Sequence, residues 1–150
     1  MADPLPDDLD WLAAAVELSR RCPPSESAFS VGAIIVDAAG NRLAEGFSRQ
    51  HQERDHAEEA ALRSVVAADL HDATIYTSLE PCSVRLSRPL SCSALIVAAG
   101  ISRVVYALAE PPIFVPGDGA NVLRSSGIQV IERPELADVV REINAHLLPA

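Results

Sequence analysis

Two stretches of this sequence decide its fold and its chemistry: RDHAEEAALRSVV at residues 54–66 and TSLEPCSVRLSRPLSCSALIVAAG at residues 77–100. Apolar residues at positions 57, 60, 61, 65 and 68 recur at helical spacing, which predicts a helix from His56 to about Ala68. The second stretch continues a predicted strand, and its Cys92 lies near the start of a helix that Gly100 ends. A His, a Glu and two cysteines therefore fall at the ends of regular elements.

The surrounding elements alternate between strands and helices after an initial hairpin. The other predicted helices are DDLDWLAAAVELSRRC (7–22), a short helix within GDGANVLRSSG (117–127), and PELADVVREINAHLL (134–148). The predicted strands are SVGAIIVD (30–37), RLAEGFS (42–48), ATIYTSL (73–79), RVVYAL (103–108) and IQVIE (128–132). This order predicts an α/β fold, a three-layer α/β/α sandwich on a mixed sheet.

The net charge of the sequence argues against one class of function, the binding of polynucleotides. The formal net charge is −9, from 12 Lys and Arg against 21 Asp and Glu, and the basic residues form no cluster. A protein that binds polynucleotides normally presents a basic face to the phosphates. We therefore expect a small-molecule substrate and no polynucleotide partner.

The N-terminus and the cysteine count bear on the cellular location. The N-terminal MADPLPDDLDW is acidic and contains proline, unlike a signal peptide, and no apolar run approaches the length of a membrane span. Three cysteines, an odd number, do not suggest a secreted disulfide framework. We expect one cytoplasmic domain over residues 1–150, with no membrane contact.

His56 and Glu58 stand two residues apart, a spacing that places side chains on different faces of a helix. In the first turn, however, both side chains lean towards the helix N-terminus and can approach one point. The alternative is structural: Asp55 as N-cap and Glu58 at the third helical position would form a capping box. Taken alone, DHAE favours that structural interpretation.

Cys82 and Cys92 change the balance in favour of a metal site. Strand ends and helix N-termini line one edge of such a sheet, and a helix N-terminus favours a thiolate over a thiol. One imidazole nitrogen and two thiolates, from His56, Cys82 and Cys92, suit Zn²⁺ and leave a fourth position for water. A structural zinc site would instead close with a fourth ligand, for which His51 is the nearest candidate, although its polar loop favours solvent exposure.

An open zinc site also gives Glu58 a role. Zinc lowers the pKa of water to near neutrality, and a neighbouring carboxylate can take the proton and pass it to a leaving group. The remaining cysteine and histidines have ordinary explanations: a small buried side chain for Cys22, and the surface for His71 and His146.

The order His56-Ala57-Glu58, then Pro81-Cys82 and a second cysteine, resembles the zinc-dependent cytidine deaminase superfamily, whose motif is H-x-E followed by P-C-x-x-C. Here Arg85 stands where the short spacing expects the second cysteine, and Cys92 follows Cys82 after nine intervening residues. With that spacing, SLEPCS, ALIVAAGISRVVYALAEP and VPGDGANVLRSSGIQV look like the deaminase domain of riboflavin biosynthesis, over roughly residues 28–132.

The resemblance implies a cytidine deaminase-like fold with a five-stranded sheet. It also implies zinc held by His56, Cys82 and Cys92, Glu58 as the proton shuttle, and a homodimer or a larger homo-oligomer. The candidate substrate contacts on this basis are Phe29, Ala57, Ser78, Glu80 and Arg85.

Several positions depart from the riboflavin enzymes. Those enzymes have Asn-Pro before a Val-Gly, Gly-x-His, two His after Pro-Cys-Ser, and Asp-Pro-Asn-Pro after the fourth strand. The corresponding residues here are Phe29-Ser30, Gly46-Phe47-Ser48, Val84-Arg85 and Glu110-Pro111-Pro112-Ile113.

Because a site built to hydrogen-bond one substrate discriminates against others, these changes favour another small aminated heterocycle: a pyrimidine or purine base, nucleoside or nucleotide. Deamination of the diaminopyrimidinone ribosyl phosphate of riboflavin biosynthesis is the alternative. A second alternative is a non-catalytic, zinc-stabilised binding protein on the same scaffold.

Overall fold

The computed structural model describes residues 5–65, 69–83, 90–111 and 118–148. Its five strands are β1 (Gly32–Val36), β2 (Arg42–Phe47), β3 (Thr74–Leu79), β4 (Arg103–Leu108) and β5 (Gln129–Glu132). They form one sheet in the order β2-β1-β3-β4-β5, in which β1 is antiparallel to β2 and β3, and β3, β4 and β5 are parallel. The prediction of a mixed five-stranded sheet is confirmed.

Helices cover both faces of this sheet. They are α1 (Asp8–Leu18), α2 (Ala57–Ser64), α3 (Cys92–Ala99), α4 (Gly119–Ser125) and α5 (Ala137–Ile143). A Cβ on Gly32 would lie 2.0 Å from the Ala15 carbonyl oxygen of α1, and a Cβ on Gly46 would lie 2.4 Å from the Ala61 nitrogen of α2. Gly46 pairs with Ala33, the neighbour of Gly32. Because successive residues of a strand face opposite sides, α1 and α2 lie on opposite faces, as a three-layer sandwich requires.

The missing side chain of Gly46 is what lets α2 approach β2 so closely. Any larger residue would place a Cβ 2.5 Å from the carbonyl oxygen of Ala57, in the first turn of that helix. The backbone contact therefore fixes the height of the α2 N-terminus above the sheet.

Two helices differ from their predicted bounds. The helix expected to reach about Ala68 ends at Ser64, because the half-buried Val65 has extended backbone (φ −70°, ψ 129°) and packs against the core. The closing segment is a 3-10 turn, Pro134–Leu136, followed by α5, which ends before Asn144. The Asn144 side chain is committed to other partners, described below.

The core between the layers is aliphatic, with fully buried Ile34, Ile35, Ile75, Val104 and Val105 on the three central strands. No helix within the described ranges combines the length and the apolar character that a membrane crossing requires.

A buried ion pair fastens α1 to the sheet. The guanidinium of Arg103 donates to both carboxylate oxygens of Asp8, at 2.7 and 2.5 Å, and the Tyr76 hydroxyl donates to one of them at 2.8 Å. Asp8 is 0% and Arg103 7% exposed. Burial acts to raise the pKa of Asp8, but the hydrogen bonds from Arg103, the Leu5 amide and Tyr76 outweigh it and hold the pKa below its ordinary 3.8.

We predict that Arg103→Ala lowers the free energy of unfolding by about 3–5 kcal/mol, because it leaves the Asp8 charge buried without its partner. The pKa of Asp8 is lowered by folding, so its contribution is present above its unfolded value and is lost as the pH falls through the folded one. Urea denaturation at pH 7 and below about pH 4 measures both effects. A loss below about 1 kcal/mol at pH 7 would show that the pair behaves like a surface salt bridge.

Candidate active site

The predicted site residues meet at the carboxyl end of β3. Cys82 follows this strand after two residues, and Cys92 is the first residue of α3. The amide of Cys92 donates to the Cys82 sulfur at 3.2 Å, and the amide of Ser93 donates to the Cys82 carbonyl oxygen at 3.1 Å. The start of α3 is thus bonded directly to the residue after the strand.

His56, Cys82 and Cys92 form a compact group of metal-ligating atoms. One imidazole nitrogen and two sulfurs all lie within 4.8 Å of one another. The Nδ1 atom of His56 is 3.2 Å from the Cys92 sulfur and 3.7 Å from the Cys82 sulfur. Cys92 is 0% and Cys82 6% exposed. The structure brings together the three residues that the sequence predicted.

The chemistry of this donor set fits zinc. A hydrogen bond from the Cys92 thiol, supported by His56 and the Cys92 amide, lowers the pKa of Cys82 to about 4 against the opposing effect of burial. Imidazole and thiolate are ligands that zinc prefers, and three protein ligands are typical of zinc sites with an open position. Among the described residues, no fourth side chain belongs to the group. His51, the candidate for closing the site, is exposed.

Glu58 lies buried beside this group, only 4% exposed. The Thr77 hydroxyl donates to Glu58 Oε1 at 2.6 Å. Burial raises the pKa of Glu58, although the hydrogen bond from Thr77 and the charge of His56 partly oppose it. A buried carboxyl group with a raised pKa, next to a group of metal-ligating atoms, is suited to proton transfer.

The capping-box alternative for Asp55 and Glu58 is wrong. The N-cap of α2 is His56, and the structure gives this helix end no side-chain cap. Asp55 instead accepts from the amides of His51 and Gln52 and from the Arg63 guanidinium, at 3.1, 2.9 and 3.0 Å. The Asp55 carboxylate stabilises the turn before the helix. This turn, and not a side-chain cap, therefore sets the position of the N-cap residue His56.

Two of the candidate substrate contacts have structural partners. The Ser78 Oγ accepts the amide of Gly32 at 3.1 Å. The two carboxylate oxygens of Glu80 accept the amides of Glu110 and Ala120, at 2.9 and 2.7 Å. Both side chains are buried, and the Glu80 carboxylate joins the end of β3 to the segment after β4 and to the first turn of α4.

The other candidate contacts divide into three cases. Ala57 is fully buried at the first position of α2, and Phe29 is half-buried and packs against the core. Arg85 lies outside the described residues. Cys22, expected to be a small buried residue, is half-buried, and its thiol donates to the Val31 carbonyl oxygen at 3.4 Å. His71 and His146 are exposed, as predicted.

Glu110 is a candidate site residue that sequence reasoning missed. Its Oε2 is buried and has no hydrogen-bond partner, the single such side-chain atom among the described residues. Burial, with the negative charges of Cys82, Glu58 and Glu80, raises the pKa of Glu110 to about 8. An unpartnered buried oxygen is costly, so its position beside the metal group suggests a ligand that would pair with it. The sequence signal was a Glu two residues after the end of a buried strand.

The fold and the zinc-type donor set agree with the family to which this chain belongs. Residues 6–108 match the cytidine and deoxycytidylate deaminase zinc-binding region. The chain is a member of this family of zinc-dependent deaminases.

Relatives refine the placement within the family. The chain is 38% identical over 133 residues to diaminohydroxyphosphoribosylamino-pyrimidine deaminase of Schizosaccharomyces pombe, covering 86% of this chain and 33% of the relative. It is 41% identical over 124 residues to riboflavin biosynthesis protein RibD of Escherichia coli, covering 80% and 32%. The chain thus spans about a third of the length of these curated relatives.

Solved structures agree with the fold. RibD of Acinetobacter baumannii superimposes with a TM-score of 0.79 at 31% identity, over 92% of this chain and 38% of that one. The Rib2 deaminase of Aspergillus oryzae, at 24% identity, gives a TM-score of 0.79 over 91% and 90% of the two chains, which shows the shared fold.

We predict that Cys82→Ser and Cys92→Ser each remove bound zinc, because both thiolates belong to the ligating group. Zinc content per chain, measured by elemental analysis after dialysis, should fall from about one to near zero. Cys22→Ser is the matched control and should retain the metal, since its thiol hydrogen-bonds elsewhere. Equal zinc content in all three variants would contradict the assignment.

Proposed function

We propose that this protein is a zinc-dependent hydrolytic deaminase of a 2-aminopyrimidinone that carries a ribosyl phosphate group, as in riboflavin biosynthesis. The observation that carries the chemistry is the convergence of His56, Cys82 and Cys92 within 4.8 Å, with Glu58 buried alongside. The reaction replaces an exocyclic amine by a carbonyl group, consuming water and releasing ammonia.

The imidazole of His56 and the thiolates of Cys82 and Cys92 would hold the zinc ion. When bound, zinc supplies the Lewis acidity that makes water a nucleophile near neutral pH. These three ligands come from the N-cap of α2, the end of β3 and the start of α3. Backbone hydrogen bonds hold the segments that carry these residues: the His56 oxygen accepts the amide of Ala60, and the Cys82 oxygen accepts the amide of Ser93.

Glu58 moves the protons. Its carboxylate accepts one proton from water and delivers it to the ring nitrogen beside the reacting carbon. It then takes the second proton, from the hydroxyl group added to that carbon, and gives it to the departing amine, which leaves as ammonia. Thr77, at 2.6 Å from Oε1, holds the carboxylate in one orientation while Oε2 carries the proton. A purely structural zinc protein has no need of a buried acid in this place, and the helix does not use Glu58 as a cap.

The choice of substrate follows from the relatives and from Glu110. The Schizosaccharomyces pombe relative, named for a phosphoribosylated diaminopyrimidine, covers 86% of this chain. That likeness favours the riboflavin-type ring over the expectation of a common base, nucleoside or nucleotide. The departures at Phe29-Ser30 and Gly46-Phe47-Ser48 would then alter how the ring is held and not which ring it is.

The free oxygen of Glu110 suits such a ring. In a 2-aminopyrimidin-4-one the reacting amine is flanked by a lactam N–H donor. In cytosine the ring nitrogen beside the amine is an acceptor. When Glu110 is deprotonated, its unpartnered oxygen pairs with the first arrangement and repels the second. Because the pKa of Glu110 is raised to about 8, this preference should strengthen as the pH rises towards that value.

We predict that Glu58→Gln keeps zinc but loses about 10²–10⁴-fold in the rate of ammonia release, because Gln cannot carry the proton. Glu59→Gln, the adjacent position on α2, is the control and should retain activity. The assay should compare the diaminopyrimidinone ribosyl phosphate with cytosine, cytidine and deoxycytidylate. Near wild-type turnover in Glu58→Gln would exclude the proton-shuttle role, and turnover of a cytosine derivative alone would replace the proposed substrate.

We predict that above about pH 8, where Glu110 is deprotonated, Glu110→Gln lowers kcat/KM for the diaminopyrimidinone about 10–100-fold, the cost of a charged hydrogen bond. Zinc content should not change. Glu142→Gln, an exposed carboxylate on α5, is the control. An unaltered kcat/KM in Glu110→Gln would mean that the free oxygen does not face the substrate.

A further inference from the structure

Three consecutive carbonyl groups, at residues 28–30, are each held by a side chain from elsewhere in the chain. His146 Nε2 donates to the Ala28 oxygen at 2.9 Å, Arg49 Nη1 to the Phe29 oxygen at 3.0 Å, and Asn144 Nδ2 to the Ser30 oxygen at 3.2 Å. This stretch, the 28–30 segment, lies outside the regular elements. Its conformation therefore depends on these side chains.

The 28–30 segment lies at the edge of the sheet that carries the metal group. It precedes β1, which is antiparallel to β3, so the residues before β1 lie beside the end of β3. The two residues that follow the segment are bonded to neighbouring side chains. The amide of Val31 donates to Ser48 Oγ at 3.0 Å, and the amide of Gly32 donates to Ser78 Oγ, on β3, at 3.1 Å.

Asn144 makes the most complete contact with this segment. It is 0% exposed, and its Oδ1 accepts the amide of Ser30 at 2.7 Å while Nδ2 donates to the Ser30 oxygen. A further bond from Nδ2 to the Val140 oxygen, at 3.0 Å, ties the side chain to α5. Only a carboxamide offers a donor and an acceptor that can pair with both main-chain groups of one residue.

Arg49, which follows β2, also contacts the 28–30 segment. Its guanidinium also donates to the Pro23 oxygen at 2.7 Å and to Ser30 Oγ at 3.2 Å. Arg49 has φ 59°, and no other described non-glycine residue has a positive φ. A left-handed arginine persists only where its surroundings fix it, and such positions concentrate at functional sites.

We propose that Asn144, together with Arg49 and His146, forms a positioning clamp that sets the 28–30 segment against the substrate, so that Asn144 and His146 control substrate affinity from outside the site. This inference rests on the proposed function and on the expectation that Phe29 contacts the substrate. Asn144 lies beyond residues 6–108, the part that matches the family. The clamp touches no reacting group, so its loss should weaken binding and leave proton transfer intact.

The test separates positioning from simple stabilisation. Zinc-loaded Asn144→Ala should show KM about tenfold higher with kcat within about twofold and unchanged zinc content. Hydrogen exchange at residues 28–31 should become about tenfold faster. Asn41→Ala, an exposed asparagine in the hairpin turn, is the matched control and should alter neither quantity. Faster exchange with an unchanged KM, or a fall in kcat alone, would overturn the proposal.

A second variant covers the case in which Asn144→Ala does not fold. His146→Ala removes an exposed contact and should raise KM about threefold, while His146→Gln, which restores an N–H donor, should return KM to the wild-type value. An unchanged KM in His146→Ala would then count against the clamp. If the wild type releases no ammonia from any ring tested, the proposed function fails, and hydrogen exchange at Ser30 then tests the clamp by itself. Unchanged exchange in Asn144→Ala would overturn the clamp. Faster exchange confined to residues 28–31 would support it.

Discussion

The buried carboxylate of Glu80 is the interaction on which the arrangement of the site depends. One oxygen accepts the amide of Glu110, just after β4, and the other accepts the amide of Ala120, in the first turn of α4. Its own amide donates to the Leu108 oxygen. Because Pro81 and Cys82 follow at once, a single charged side chain fixes the first metal-ligating cysteine relative to two neighbouring elements. Removing it would leave two buried amides without acceptors.

The grouping of the candidate site residues could be predicted from the sequence because they lie at element boundaries that periodicity locates. His56 precedes an amphipathic helix, and Cys92 begins another, so the type of side chain and its place could be combined. The capping box at Asp55 failed for a physical reason: the aspartate has stronger local partners in the turn before it and in Arg63. Sequence spacing alone does not reveal that competition.

The residues that sequence analysis did not single out are those whose role depends on contacts with residues far away in the sequence. Glu110 is distinctive because one oxygen is buried without a partner, and burial at an element end is not encoded by local pattern. In the sequence, Asn144 is one polar residue of a predicted helix. In the structure, its hydrogen bond with Ser30 joins positions 114 residues apart. The closing helix was predicted too long for the same reason: α5 ends at Ile143, and the next residue, Asn144, bonds the distant Ser30.

The two bonds between Cys82 and the first turn of α3 also explain how this family can vary its cysteine spacing. The Cys92 amide donates to the Cys82 sulfur and the Ser93 amide donates to the Cys82 oxygen, so these two hydrogen bonds hold the two cysteines together whatever number of residues lies between them. The entropic cost of closing a connection grows only slowly with its length. Residues can therefore be inserted between the two cysteines for a new substrate at little cost, and the two sulfur atoms stay where they are.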